Sequence, residues 1–291
     1  MSSYKEIVKS IDFDSTIYSP ALSSDRKSFE LMLNLRVFLR PLNPPKGQNV
    51  YQARDWNDTP WPALRWNNAA WQHFQQEYIR QVYATWDTAF VLIPPANYSE
   101  FVYLKERRKV LCRIRIDLWG DDKHVHAVIN VVRLATPQHN FFRSSSDTYS
   151  SKDLTARHVH DRKEGVSYLQ RTPAHEIGHL LGLNHINEYS DACQNSATPE
   201  SPACYGSNLI QSMNVMGRGN ELDFSNAAPW LKRITEHTYT RQSDWRVDWA
   251  YADMQVGDTL PGGLRGIVDG FEVDPDRKPA PKPAKPGLID L

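Results

Sequence analysis

Neither sign of charge dominates this chain. Its 34 Lys and Arg are matched by 34 Asp and Glu, a formal net charge of zero. Proteins that hold nucleic acid or anionic membranes by charge carry a basic surplus, so neither class fits. Cysteine is scarce: three in 291 residues, too few for a disulfide scaffold and wrongly spaced for a structural zinc ribbon. No apolar run approaches the ~18 residues of a membrane span. The first twenty residues include Lys5, Glu6, Lys9, Asp12 and Asp14 and lack the apolar stretch of a Sec signal peptide. GxSxG, P-loop and GxGxxG sequences are missing, so serine-hydrolase, NTPase and dinucleotide-binding readings have no support. What is present is a globular composition, 40% hydrophobic and 23% charged, with enough length for a substantial core.

Periodicity divides the chain. Residues 1–24 read as an irregular polar segment. From Phe29 through Leu31, Leu33, Leu35 and Val37 apolar residues alternate, which predicts a strand over 28–39 that stops at Pro41. Residues 46–62 read as a loop rich in Asn, Asp, Pro and Trp. Ala70, Phe74, Tyr78, Val82 and Trp86 then recur every four residues, predicting an amphipathic helix from about Trp66. Val110 to Trp119 and His124 to Leu134 read as strands. Gly120-Asp121-Asp122-Lys123 between them suggests a hairpin turn. Residues 136–165 read as a long polar loop. A helix is expected from Thr172, with Thr172 as its cap and Pro173 in its first turn. Another is expected over Asn226–His237. Five prolines and three lysines between Asp274 and Gly287 predict a disordered tail over 273–291.

The chemistry is concentrated in His175-Glu176-Ile177-Gly178-His179-Leu180-Leu181-Gly182-Leu183-Asn184-His185. On a helix, residues four apart lie about 40° apart around the axis, so His175 and His179 face one way. Ile177, Leu180 and Leu181 face the other way, toward a core. Glu176 flanks the histidine face, where it reaches a metal-bound water without being a ligand. Gly182 suits the left-handed turn that ends the helix, and that turn brings His185 back as a third nitrogen ligand. Three neutral imidazoles and one water form an open tetrahedral zinc site, one Zn2+ per chain.

This run resembles the signature of the metzincin clan of zinc metallopeptidases, HExxHxxGxxH followed by a methionine turn. Asn214-Val215-Met216-Gly217 lies 31 residues after His185 and fits the turn, with Met216 as the floor beneath the ligands and Met213 as the alternative. The resemblance implies an α+β fold, a twisted mixed sheet packed on an N-terminal helix and the active-site helix, over residues 25–272. It implies a zinc-dependent endopeptidase with Glu176 as general base, acting on a protein or peptide. Several metzincin families carry Tyr two residues after the turn Met; this chain has Arg218 there. Arg218, His237, Tyr239 and Tyr205 are therefore the candidates for oxyanion stabiliser. Substrate is expected to add a strand beside His124–Leu134. Residues 226–237, with Pro229-Trp230-Leu231, resemble metallopeptidase effector domains of bacterial type VI secretion. That likeness implies a toxin exported without a Sec signal to an extracytoplasmic, periplasmic compartment, with a secretion carrier or immunity protein as partner; the alternative is a cytoplasmic protein. The rival to an enzyme is a zinc-containing binding or toxin-structural module without turnover.

Cys193 and Cys204 flank an insertion between His185 and the turn. They form a disulfide if the protein works in an oxidising compartment and remain thiols otherwise. His124 with His126, and His158 with His160, share strand faces but have no carboxylate cluster beside them, so they read as polar surface residues.

Overall fold

The computed structural model of the chain describes residues 5–250 apart from 56, 104–105, 136–141, 162–164 and 197–200. The tail over 273–291 and the end of the 25–272 domain therefore lie outside the described residues. Residues 5–18 are not irregular: β1 (Lys5–Val8) and β2 (Asp14–Tyr18) pair antiparallel. Polarity hid them. The buried Asp14, Ser15 and Thr16 are stabilised by partners rather than by apolar burial. Asp14 pairs with Arg36, Ser15 Oγ bonds His237 Nε2 at 3.0 Å, and Thr16 Oγ1 accepts from Asn34 Nδ2 at 3.1 Å.

β3 (Phe29–Leu42) carries the predicted alternation and runs through Pro41, the expected stop, to Leu42. Leu31, Leu33, Leu35 and Val37 point into the core, as a period of two requires. Residues 46–62 are not one loop but most of a hairpin, β4 (Val50–Arg54) and β5 (Pro60–Leu64). Its turn is closed by Asp55, whose carboxylate accepts from the Asn57 and Thr59 amides and from Trp61 Nε1. α1 (Asn68–Trp86) is capped by Asn67, whose side chain accepts from the Ala70 amide, and it buries Phe74, Tyr78, Val82 and Trp86.

Next come β6 (Phe90–Ile93), the two-residue strands β7 (Val102–Tyr103) and β8 (Glu106–Arg107), β9 (Val110–Leu118) and β10 (Ala127–Leu134). β9 and β10 do not form the expected hairpin. Both run parallel to β3 and lie on its two sides. The connection is stitched to β3 instead of to a partner strand: Arg36 donates through its amide to His126 Nδ1 at 2.9 Å and through Nε to the His124 carbonyl at 2.8 Å. The His126 side chain is therefore buried, not on the surface as expected, with Nε2 3.6 Å from Asp14.

The expected loop over 136–165 contains β11 (Thr148–Ser150) and β12 (Arg157–Asp161), which pairs with β13 (Val166–Gln170). Their short, polar sequences give no alternation strong enough to register. α2 (Thr172–Leu180), α3 (Asp191–Gln194), α4 (Leu209–Met213), α5 (Ala228–Thr238) and β14 (Arg246–Trp249) complete the order. Thr172 is the first residue of α2 rather than its cap, and Arg171 precedes it without a capping bond. The main sheet runs β14-β6-β9-β3-β10-β5-β4, with β2 also on β3 and β11 on β10. It mixes parallel and antiparallel pairs, so the architecture is α+β. One core joins the buried face of β3 to α1, α2 and α5. Among the described residues no helix is long and apolar enough to cross a membrane.

Candidate metal centre

α2 presents His175 and His179 one turn apart, and the chain then reverses. Gly182 adopts φ +85°, the Leu183 amide bonds the Gly178 carbonyl, and His185 returns to the helix face. The ring centroids of His175 and His179 are 4.9 Å apart, those of His179 and His185 4.7 Å, and those of His175 and His185 5.4 Å. One nitrogen from each ring lies within 4.8 Å of the other two, so the cluster could hold one metal ion.

The tautomers are set by what surrounds the rings. His175 Nδ1 meets the Val215 carbonyl at 2.6 Å and His179 Nδ1 meets the Leu183 carbonyl at 2.8 Å. A carbonyl only accepts, so both Nδ1 atoms carry hydrogen and neither Nε2 does; that of His179 lies 3.2 Å from His185 Nε2. Burial, reinforced by His179, pushes the pKa of His175 down to about 3 and that of His185 down to about 4. Burial lowers His179 as well. The three rings are thus neutral at pH 7, the form that binds a cation. In the metal-free chain, unfolded histidines take up protons near pH 6.5 that the folded ones refuse until about pH 4 or below. Stability is expected to be full above pH 6.5 and to fall as pH drops toward 4. Urea midpoints of chelator-treated protein at pH 7.5 and 5 check this; equal midpoints would contradict it.

Glu176 is buried on the same helix, with the buried Tyr78 and Tyr149 nearby. Burial holds both phenols protonated, and the Glu176 carboxylate pushes in the same direction.

Met216 is buried against α2 at Gly178. A Cβ on Gly178 would come within 2.2 Å of Met216 Sδ and 3.3 Å of the Trp86 ring, so the glycine between the two histidines is what lets the sulfur and the indole approach. Met213, on α4, is only half-buried. Asn214 brackets the turn: its Oδ1 accepts from the Met216 amide at 2.8 Å and its Nδ2 donates to Asn226 at 3.0 Å. Asn214 stood in the turn sequence, but its pairing with Asn226 had no signal because the partner comes from another segment. Trp86 was visible only as a helical core position. Its Nε1 donates to the Ala174 carbonyl at the start of α2, at 2.9 Å.

The four oxyanion candidates separate. The Tyr205 ring lies 4.0 Å from that of His185, and the Arg218 guanidinium sits over Tyr205 at 5.6 Å. His237 instead engages Ser15 and Glu6, and Tyr239 is 95% exposed at the end of α5. β10, the strand expected to receive substrate, pairs with β3 and then β5 along one edge and with β11 over Asn130–Val132 on the other.

Cys193 and Cys204 form a disulfide, and Cys112 is a buried free thiol in β9. The bond places Tyr205 next to a braced residue, and the Asn187 amide bonds the Cys204 carbonyl at 3.0 Å, tying the brace to the segment of His185. The cysteines are 11 positions apart. Opening a loop of that size is expected to lower stability by about 3 kcal/mol. Thiol titration in denaturant should find one reactive thiol before reduction and all three after it; three at the outset would show the bond is absent in solution.

Comparison with protein-family models, with curated proteins and with solved structures gave no match.

Proposed function

We propose that the chain is a zinc-dependent endopeptidase of metzincin type. The observation that carries this reading is the convergence of three neutral imidazoles, with ligand nitrogens within 4.8 Å of one another, on the helix that also holds Glu176. Nitrogen-only donors of this kind suit zinc better than calcium or magnesium, which prefer oxygen. Zinc held by His175, His179 and His185 would polarise the scissile carbonyl and bring the pKa of water at the site toward ~7. Glu176 takes the proton from the attacking water on its carboxylate and delivers it to the leaving amide nitrogen. Val215 and Leu183 hold the rings of His175 and His179 in the tautomer that keeps Nε2 directed at the centre. Tyr205 and Arg218 are the donors beside the centre for the developing oxyanion.

The substrate is a protein or peptide. The Cys193–Cys204 bond supports action in an oxidising, extracytoplasmic compartment, in keeping with an exported effector. The test is direct. Protein purified without chelator should contain one zinc per chain and hydrolyse casein, and hydrolysis should cease with chelator and return with added zinc. Zinc without hydrolysis across broad peptide libraries would favour the non-catalytic module instead.

A further inference from the structure

The three clustered histidines are not held alike. Carbonyls of Val215 and Leu183 fix the rings of His175 and His179. Among the described residues no carbonyl bonds the His185 ring in that way. It packs on the Tyr205 ring, and its Nε2 lies 3.2 Å from His179 Nε2. His185 also stands beyond the end of α2, so the helix does not set its position. Where its imidazole sits depends on the backbone turn that carries it.

Each amide of that turn has a partner. Ile186 donates to the Met216 carbonyl, Asn187 to the Cys204 carbonyl and Glu188 to the His185 carbonyl, all at 3.0 Å. The His185 amide is held by a side chain instead, donating to Glu188 Oε2 at 3.1 Å. Glu188 thus closes the turn twice, through its own amide and through its carboxylate. Its carbonyl accepts from Gln194 Nε2 at 2.8 Å, and Gln194 follows the disulfide-bonded Cys193 on α3. The half-buried carboxylate also acts on the cluster through its charge. Burial lowers the pKa of His179, while the bond to the Leu183 carbonyl and the charge of Glu188 oppose that shift. A charge that favours a cation on His179 favours a metal cation in the same place.

We propose that Glu188 is a positioning residue for the metal centre: its carboxylate locks the His185 turn and supplies negative charge beside a site whose ligands are three imidazoles. The inference rests on the zinc reading of the cluster. Its role differs from that of Glu176, which is there to move a proton. Glu188 Oε2 is engaged with a backbone amide and acts through His185.

The experiment measures zinc affinity rather than turnover. The full chain is stripped with chelator and titrated with Zn2+ in competition with a fluorescent zinc indicator. Glu188→Ala is expected to bind zinc about 10- to 100-fold more weakly than the unaltered chain, the range for losing a group that orients a ligand. Glu188→Gln keeps an oxygen for the His185 amide but no charge, so a smaller loss is expected. Metal-free melting temperatures should stay near that of the unaltered chain, because the turn keeps its backbone bonds to Met216 and Cys204. If Glu188→Ala melts early, Glu188→Gln carries the test. The visible spectrum of the Co2+ form should change in Glu188→Ala, since a displaced His185 alters the coordination geometry. Glu106→Ala removes an exposed carboxylate on β8 and controls for net charge. Unchanged zinc affinity in both Glu188 variants, or an equal loss in Glu106→Ala, would overturn the proposal and leave the zinc reading intact. No zinc uptake by the unaltered chain would overturn that reading, and this inference with it.

Discussion

Glu176→Ala is expected to leave zinc content and melting temperature near those of the unaltered chain while peptide hydrolysis falls at least about 100-fold, the lower end for losing a positioned general base. The reasoning is geometric. The three ring nitrogens form their cluster without the carboxylate, so the ligand set survives the substitution. Only the proton acceptor is lost. His179→Ala should behave in the opposite way, losing metal and stability together, because two remaining imidazoles hold a cation poorly. The contrast is read by elemental analysis, thermal unfolding and cleavage of a quenched peptide on the same preparations. Unchanged turnover in Glu176→Ala would rule out its role as base and leave the metal structural.

The largest effect on stability is expected at Trp86, which meets α2 at Ala174 and Gly178. Its ring is fully buried, packs 6.3 Å from Trp230 and fills the space against Gly178, while its N–H holds the Ala174 carbonyl. Trp86→Ala should therefore cost about 3–5 kcal/mol in urea unfolding. Trp86→Phe keeps most of the volume but leaves the Ala174 carbonyl without that donor, and should cost less, about 1–3 kcal/mol. Because Ala174 precedes His175, both variants should also weaken zinc retention. A Trp86→Ala chain with an unchanged midpoint would show that this contact does not hold the helix.

The helices were the most legible elements. Four-residue spacing of Phe74, Tyr78, Val82 and Trp86 needs nothing beyond its own segment, and α1 follows it. Alternation along β3 was equally plain because one face is buried and the other is not. β1 and β2 were invisible for the converse reason: Asp14, Ser15 and Thr16 are buried through Arg36, His237 and Asn34, which arrive from distant parts of the chain. The turn at Gly120–Lys123 suggested a hairpin because a turn signal does not reveal that a third strand lies between its two arms.

Within the candidate site the same division holds. The offsets among His175, His179, Gly182 and His185 dictate that the imidazoles converge, since a helical turn of 3.6 residues and one left-handed glycine leave little other outcome. Four residues qualified by type alone as oxyanion partners, and only packing distinguished them. The disulfide-braced segment set Tyr205 against His185 and drew Arg218 over it, while α5 turned His237 toward β1 and β2. Ligand spacing is a local property of one helix and its turn, so the amino-acid order determines it. Which side chain from another segment meets those ligands depends on sheet order and loop closure, and these are decided only when the whole core forms.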